Sequence, residues 1–194
     1  MPLLPALDDF VTPVAVRRRF VGIDPGKKGF TAELLDDALH TATPIPVTKD
    51  NKYDLPAIVA LARTWRGHWV VLERQQAAYK RGGHNEQQTN NMVRSSFTTG
   101  RGFGMWEGVL TALGIKYILV MPGVWKRKMG ITVPKDFGSQ DARKKESKRL
   151  AKAKAAELFP GIDLRAKPSK RCKPNADKAE AILLAYYGIH HGKW

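Results

Sequence analysis

Four acidic side chains occupy positions where acids are costly, and together they could hold divalent cations. Asp24 and Glu73 each end a short apolar run of the kind that forms a buried strand. Asp177 and Glu180 lie three residues apart at the start of an apolar segment, so on a helix they project from one face. A half-buried carboxylate is unfavourable without a partner. Because carboxylate oxygens suit Mg²⁺ and Mn²⁺, the sequence predicts a metal site wherever these segments meet.

Such a site would favour cleavage of a phosphate backbone. Two ions about 4 Å apart can activate a water molecule and stabilise the leaving oxygen of an in-line displacement. Taken singly, the acids have simpler explanations: Asp24 as a turn residue, Glu73 as the salt-bridge partner of Arg74, and Asp177 as an acid favoured by the helix dipole. The ordered set, with two strand acids followed by a late Asp-x-x-Glu helix, is far more specific than any one member.

The charge balance indicates a nucleic-acid partner. The 194 residues include 33 Lys/Arg and 18 Asp/Glu, a net charge of +15, and nucleic acid is the expected partner of so basic a domain. Residues 141–173 alone hold 12 Lys/Arg and 4 Asp/Glu.

The remaining composition bounds the cellular setting. The single cysteine, Cys172, permits no internal disulfide, and we interpret it as a bystander in a basic loop. The sequence shows neither a secretory signal nor an apolar run long enough to cross a bilayer. We therefore expect a cytoplasmic protein with no membrane contact.

The periodicity predicts the elements that must position the acids. Residues 1–19 contain three prolines and are predicted to be an N-terminal extension, followed by one domain at 20–194. We expect loops at 75–95 and 122–139. The predicted strands and helices are: strands at 20–24, 29–35, 44–48, 69–73 and 116–121, and helices at 53–65, 96–113, 144–159 and 176–189. This order predicts an α/β fold with a mixed five-stranded sheet, in which strands 1–3 are antiparallel and strands 4 and 5 are parallel, flanked by helices.

At these residues the chain resembles the RuvC family of Holliday junction resolvases, in particular its phage-type members. Gly-Ile-Asp-Pro-Gly at 22–26 matches the family motif that carries its first aspartate. Glu73 matches the glutamate that ends a strand, and Asp177 and Glu180 match the acid pair that opens the last helix. Further matches lie before and after the fifth strand: Gly100-Arg101-Gly102, Pro122 and Trp125-Lys126. The resemblance covers about residues 20–190.

The resemblance implies a ribonuclease H-like fold and paired nicking of four-way DNA junctions by a homodimer, in a bacterial or phage-infected host cell. It implies Mg²⁺ or Mn²⁺, with two ions per site, bound by Asp24, Glu73, Asp177 and Glu180. Bacterial members more often carry aspartate at the position of Glu180, so the metal spacing differs if this longer side chain is a ligand.

Positive side chains near these motifs are the expected phosphate contacts. The predicted DNA-binding residues are Arg101, Lys126, Arg127, Lys128, Lys144, Lys145, Lys148 and Arg149. An aromatic residue near the strand-ending glutamate helps bacterial members open the junction, and Tyr79 is the candidate here.

Two alternatives stay open. One is another ribonuclease H-like nuclease, acting on RNA–DNA hybrid or other branched DNA. The other is a structure-specific DNA-binding protein without activity, which needs no acids. A sugar kinase shares Gly-Ile-Asp-x-Gly, but this chain is about half the usual length and has no Ser or Thr next to the Gly26 region to meet a phosphate.

Overall fold

The computed structural model describes residues 19–75, 86–166 and 173–194. The predictions made for Tyr79, for Cys172 and for residues 1–18 of the extension predicted at 1–19 lie outside these ranges. Within the described ranges, no helix has the length and apolar character needed to span a membrane.

The sheet has the predicted mixed topology. Its strands are β1 (Arg19–Ile23), β2 (Phe30–Leu35), β3 (Ala38–Pro44), β4 (Trp69–Glu73) and β5 (Tyr117–Val120). The spatial order is β3-β2-β1-β4-β5. The β1–β2 and β2–β3 pairs are antiparallel, whereas β4 is parallel to both β1 and β5. The predicted five-stranded α/β fold is confirmed, and it places the carboxyl ends of β1 and β4 side by side.

Helices cover both faces of this sheet. They are α1 (Leu55–Arg63), α2 (Glu86–Ala112), α3 (Pro122–Lys128), α4 (Gln140–Leu158) and α5 (Ala176–His191). Side chains from α1 and α2 share one apolar core with Val21 and Ile23 of β1. Helices α3, α4 and α5 contribute to the second core. Because successive residues of a strand face opposite sides, Gly22 faces this second core, against α5.

The contact between β1 and α5 is unusually close. A Cβ on residue 22 would fall on the carbonyl oxygen of Ala181 and the amide nitrogen of Ala185, so only glycine fits there. Residues 179–185 of α5 are all buried, since the helix packs against the sheet and against α3 and α4. This approach brings the first turns of α5 to the end of β1.

The third strand lies earlier than predicted: β3 is at Ala38–Pro44, not at 44–48. A two-residue turn joins it to β2, and Asp36 in that turn has φ 54°, a conformation that aspartate tolerates better than most residues. Of the predicted segment only Pro44 belongs to β3. Pro44 and Pro46 cannot donate to a sheet, and beyond the strand Val47 forms an isolated bridge with Tyr53.

Two predicted loops are partly helical. Helix α2 begins at Glu86 instead of 96, because a helix anchored by its buried residues Trp106 and Leu110 extends through a polar segment at little cost. Helix α3 occupies the start of the predicted loop at 122–139, with Pro122 in the first turn, where its missing N–H is harmless. Helix α4 begins four residues earlier than predicted because Ser139 caps it, accepting a hydrogen bond from the Ala142 amide at 3.2 Å.

Candidate metal and nucleic-acid site

Three of the predicted acids meet at the end of β1. Asp24, Asp177 and Glu180 can each offer one carboxylate oxygen, and these oxygens all lie within 4.8 Å of one another. We call these three residues the acid cluster. Asp24 directly follows β1, and the Asn175 side chain fixes the start of α5 by accepting hydrogen bonds from the amides of Asp177 and Lys178. The cluster therefore arises from two element ends held in register by the close β1–α5 contact.

Glu73 lies beside the acid cluster but outside this tightest group. It is the last residue of β4, whose Leu72 pairs with Ile23 of β1, so its backbone is next to that of Asp24. The Glu73 side chain is 7% exposed, and its Oε1 accepts a hydrogen bond from the indole Nε1 of Trp125 at 2.9 Å. The structure thus brings all four predicted acids to one edge of the sheet, with three in close contact and the fourth adjacent.

Burial and mutual repulsion make this edge hold protons in the absence of a cation. Burial above all, and then the charges of Glu73, Glu180 and Asp177, raise the pKa of Asp24 from 3.8 to about 8. Burial also raises the pKa of Glu73 from 4.5 to about 7, although the hydrogen bond from Trp125 opposes this shift. Both carboxyl groups are therefore destabilised as anions unless positive charge is brought close.

Two lysines supply part of that positive charge. Lys126 Nζ lies 2.7 Å from Glu180 Oε1, and Lys148 Nζ lies 2.7 Å from Asp177 Oδ1. Burial by itself lowers the pKa of Lys148, but the hydrogen bond to Asp177 and the charge of that residue outweigh it, so the net shift is upward. These lysines belong to α3 and α4, so the two basic helices reach the acid cluster directly.

The loop after β1 is held by contacts that the sequence does not reveal. The Gly26 amide and the Gln75 Nε2 lie 3.4 Å and 3.5 Å from Asp24 Oδ1. The Tyr53 hydroxyl donates to the Pro25 carbonyl at 3.1 Å, and a Cβ on Gly102 would collide with that hydroxyl. The only sequence signal for Gln75 is that it lies two residues after Glu73.

The other six predicted DNA-binding residues differ in how their side chains are engaged. Five of them are exposed, and their side chains make no hydrogen bond or ion pair among the described residues: Arg101, Arg127, Lys128, Lys144 and Lys145. Arg149 instead binds both oxygens of Glu146 on its own helix, at 2.8 and 2.7 Å. Their contact with DNA stays a prediction.

The donor set fits a hard divalent cation. Three carboxylates with converging oxygens, a fourth beside them and a partly exposed Asp177 side chain form the kind of oxygen-rich environment that Mg²⁺ and Mn²⁺ favour. The raised pKa of Asp24 and the two lysines paired with the cluster both indicate that the acids lack sufficient positive charge on their own. Asp24, Asp177 and Glu180 could hold such an ion, and Glu73 is placed to assist.

Comparison with known proteins agrees with this architecture. No protein-family model matches the sequence, and no curated protein matches it. Among solved structures, T. thermophilus RuvC in complex with a Holliday junction substrate is similar at a TM-score of 0.55 and 14% identity, over 90% of this chain and 97% of that chain. A second Thermus thermophilus RuvC structure has a TM-score of 0.49 and 12% identity, over 88% of this chain and 95% of that chain. The first similarity confirms the predicted ribonuclease H-like fold.

Proposed function

We propose that this protein is a divalent-metal-dependent endonuclease that cuts branched DNA, with the four-way junction as its substrate. The observation that carries the proposal is the convergence of Asp24, Asp177 and Glu180 from two separate elements of a strongly basic chain. A protein that only binds DNA has no use for buried acids, because they repel phosphate and destabilise the fold.

The residues take distinct roles in this proposal. Asp24, Asp177 and Glu180 hold Mg²⁺ or Mn²⁺, and Glu73 completes the site. A cation bound there supplies Lewis-acid stabilisation and water activation for phosphodiester hydrolysis. Lys126 and Lys148, which pair with Glu180 and Asp177, contact the substrate phosphate in this proposal.

Two features support DNA as the substrate and the junction as its shape. Lys126 of α3 and Lys148 of α4 contact the acid cluster, both helices carry further exposed Lys and Arg side chains, and such side chains bind backbone phosphates without reading sequence. The choice of a junction follows from the RuvC-like motifs and from a fold shared with a protein solved on a Holliday junction. The same resemblance supports a homodimer, in which two sites nick like strands, and two ions per site.

Cleavage assays on a panel of substrates test the proposal. A mobile four-way junction, a duplex, a fork and an RNA–DNA hybrid are incubated with the protein, with and without Mg²⁺. We expect Mg²⁺-dependent paired nicks in the junction, and Asp24→Asn should bind the junction but not cut it. Asp50→Asn, which removes an exposed acid, is the matched control and should cut normally. Preferential cutting of the hybrid would establish the other ribonuclease H-like activity, and Mg²⁺-independent binding without cutting of any substrate would contradict an enzyme.

A further inference from the structure

Trp125 contacts the edge of the sheet that holds the four acids, but it belongs to none of the segments that carry them. Val120, the last residue of β5, pairs with Glu73 in the sheet, and α3 begins two residues later. One turn of this helix returns the chain over the end of β4. The Trp125 side chain is 0% exposed, so its position is fixed by the core, and its indole Nε1 donates to Glu73 Oε1 at 2.9 Å.

This hydrogen bond engages only one of the two carboxylate oxygens of Glu73. Among the described residues, Oε1 has the indole as its partner, whereas Oε2 accepts no hydrogen bond. A glutamate at a strand end can rotate about several bonds, and ordering it has an entropic cost. A rigid donor bonded to one oxygen removes that freedom and fixes where the second oxygen lies.

The next residue of the same helix, Lys126, forms an ion pair with a different acid. Lys126 Nζ pairs with Glu180 Oε1 at 2.7 Å and lies 5.3 Å from the centre of the Trp125 ring. Consecutive residues of α3 thus contact Glu73 from β4 and Glu180 from α5. The helix links the fourth acid to the acid cluster.

We propose that Trp125 is a positioning residue of the metal site, whose indole N–H orients Glu73 so that its second oxygen faces the acid cluster. The inference rests on the proposed function, because it takes the cluster as a cation site. Partners that orient a metal ligand typically change metal affinity by about 10- to 100-fold when removed, so the effect is measurable without any cleavage assay.

The experiment is a titration of the full chain with Mn²⁺, in which free ion is measured from its electron paramagnetic resonance signal. Trp125→Phe keeps an aromatic ring and removes the N–H, and we expect about tenfold weaker Mn²⁺ binding. Trp65→Phe is the matched control. Trp65 is also 0% exposed and donates to a glutamate, Glu33, at 2.9 Å. Glu33 lies in β2 and is not one of the four acids of the proposed site, so Mn²⁺ affinity should not change.

Two further variants separate orientation from damage to the core. β-(3-benzothienyl)alanine at position 125 replaces the indole N–H by sulfur at nearly constant shape, and it should weaken Mn²⁺ binding as Trp125→Phe does. In a Glu73→Gln background, Trp125→Phe should have no additional effect, because the group it orients is no longer an anionic ligand.

The outcomes distinguish failure of this inference from failure of the proposed function on which it rests. If the wild-type chain binds Mn²⁺ and both position-125 variants bind it equally well, the positioning role is refuted while the metal site stands. The role is also refuted if Trp125→Phe weakens binding equally in the Glu73→Gln background. If the wild-type chain binds no Mn²⁺, the proposed function fails and this inference fails with it.

Discussion

Replacing Asp24 by asparagine should stabilise the metal-free protein, even though it removes a residue of the proposed active site. Asp24 is 8% exposed, and burial together with three neighbouring acids raises its pKa to about 8. Asparagine has nearly the same shape, has no charge to bury, and still offers an oxygen to the Gly26 amide and the Gln75 side chain that lie near Oδ1. The substitution therefore removes an electrostatic cost and preserves the packing.

The size of the effect follows from the two pKa values. The unfolded chain releases the Asp24 proton near its ordinary pKa of 3.8, whereas the folded protein keeps it up to about pH 8. Between these values the folded state binds more protons, so its stability falls as pH rises and is level above about pH 8. Each pKa unit corresponds to about 1.4 kcal/mol. At pH 7 the interval of about three units gives a cost of about 4 kcal/mol.

Urea unfolding in the presence of a chelator, followed by circular dichroism from pH 4 to 8, measures this difference. The free energy of unfolding of Asp24→Asn should exceed that of the wild type by about 4 kcal/mol at pH 7 and converge with it near pH 4. Asp50→Asn, at an exposed position, should follow the wild type throughout. Equal stability of Asp24→Asn and wild type at pH 7, or a less stable variant, would refute the electrostatic account of the site.

Three further outcomes follow from the same geometry. Mg²⁺ at 100 times its dissociation constant should raise the unfolding free energy of the wild type by about 2.7 kcal/mol and leave Asp24→Asn unchanged in the same urea assay; an equal gain in both would place the ion elsewhere. In urea unfolding, Gly22→Ala should lower the free energy of unfolding by at least about 3 kcal/mol, because the new methyl group meets backbone atoms of α5 that cannot rotate away. Gly100→Ala, which has open space around it, should leave the free energy of unfolding unchanged or raise it slightly. Lys148→Met should weaken junction binding severalfold and reduce the slope of log affinity against log salt by about 1 in a filter-binding series, and an unaltered slope would show that Lys148 does not contact phosphate.

The elements that carry the acids were the ones that the sequence predicted best. β4 lies at the predicted residues 69–73, and α5 begins at the predicted residue 176. Each is buried through most of its length, so its apolar pattern is continuous and its acid stands out. β3 was misplaced because an edge strand with few buried residues needs no strong apolar alternation, and turn residues alone decide where it begins.

The partners of the acids were not predictable in the same way. Trp125 and Glu73 are 52 residues apart in sequence, and their hydrogen bond depends on the register of β4 with β5 and on a short helix that the sequence suggested was a loop. Lys126 and Lys148 were identified as basic residues near the motifs, but their pairing with Glu180 and Asp177 depends on how α3 and α4 pack on α5. Residue types thus indicated the chemistry, whereas long-range packing determined which side chains meet.

Diffraction from crystals grown with Mn²⁺, recorded at the manganese absorption edge, tests the central claim most directly. The account predicts an anomalous peak within coordination distance of Asp24, Asp177 and Glu180, with the Lys126 and Lys148 ammonium groups moved away from their 2.7 Å contacts with Glu180 and Asp177. A crystal with manganese bound elsewhere, both lysines still on the acids and no density at the cluster would contradict it.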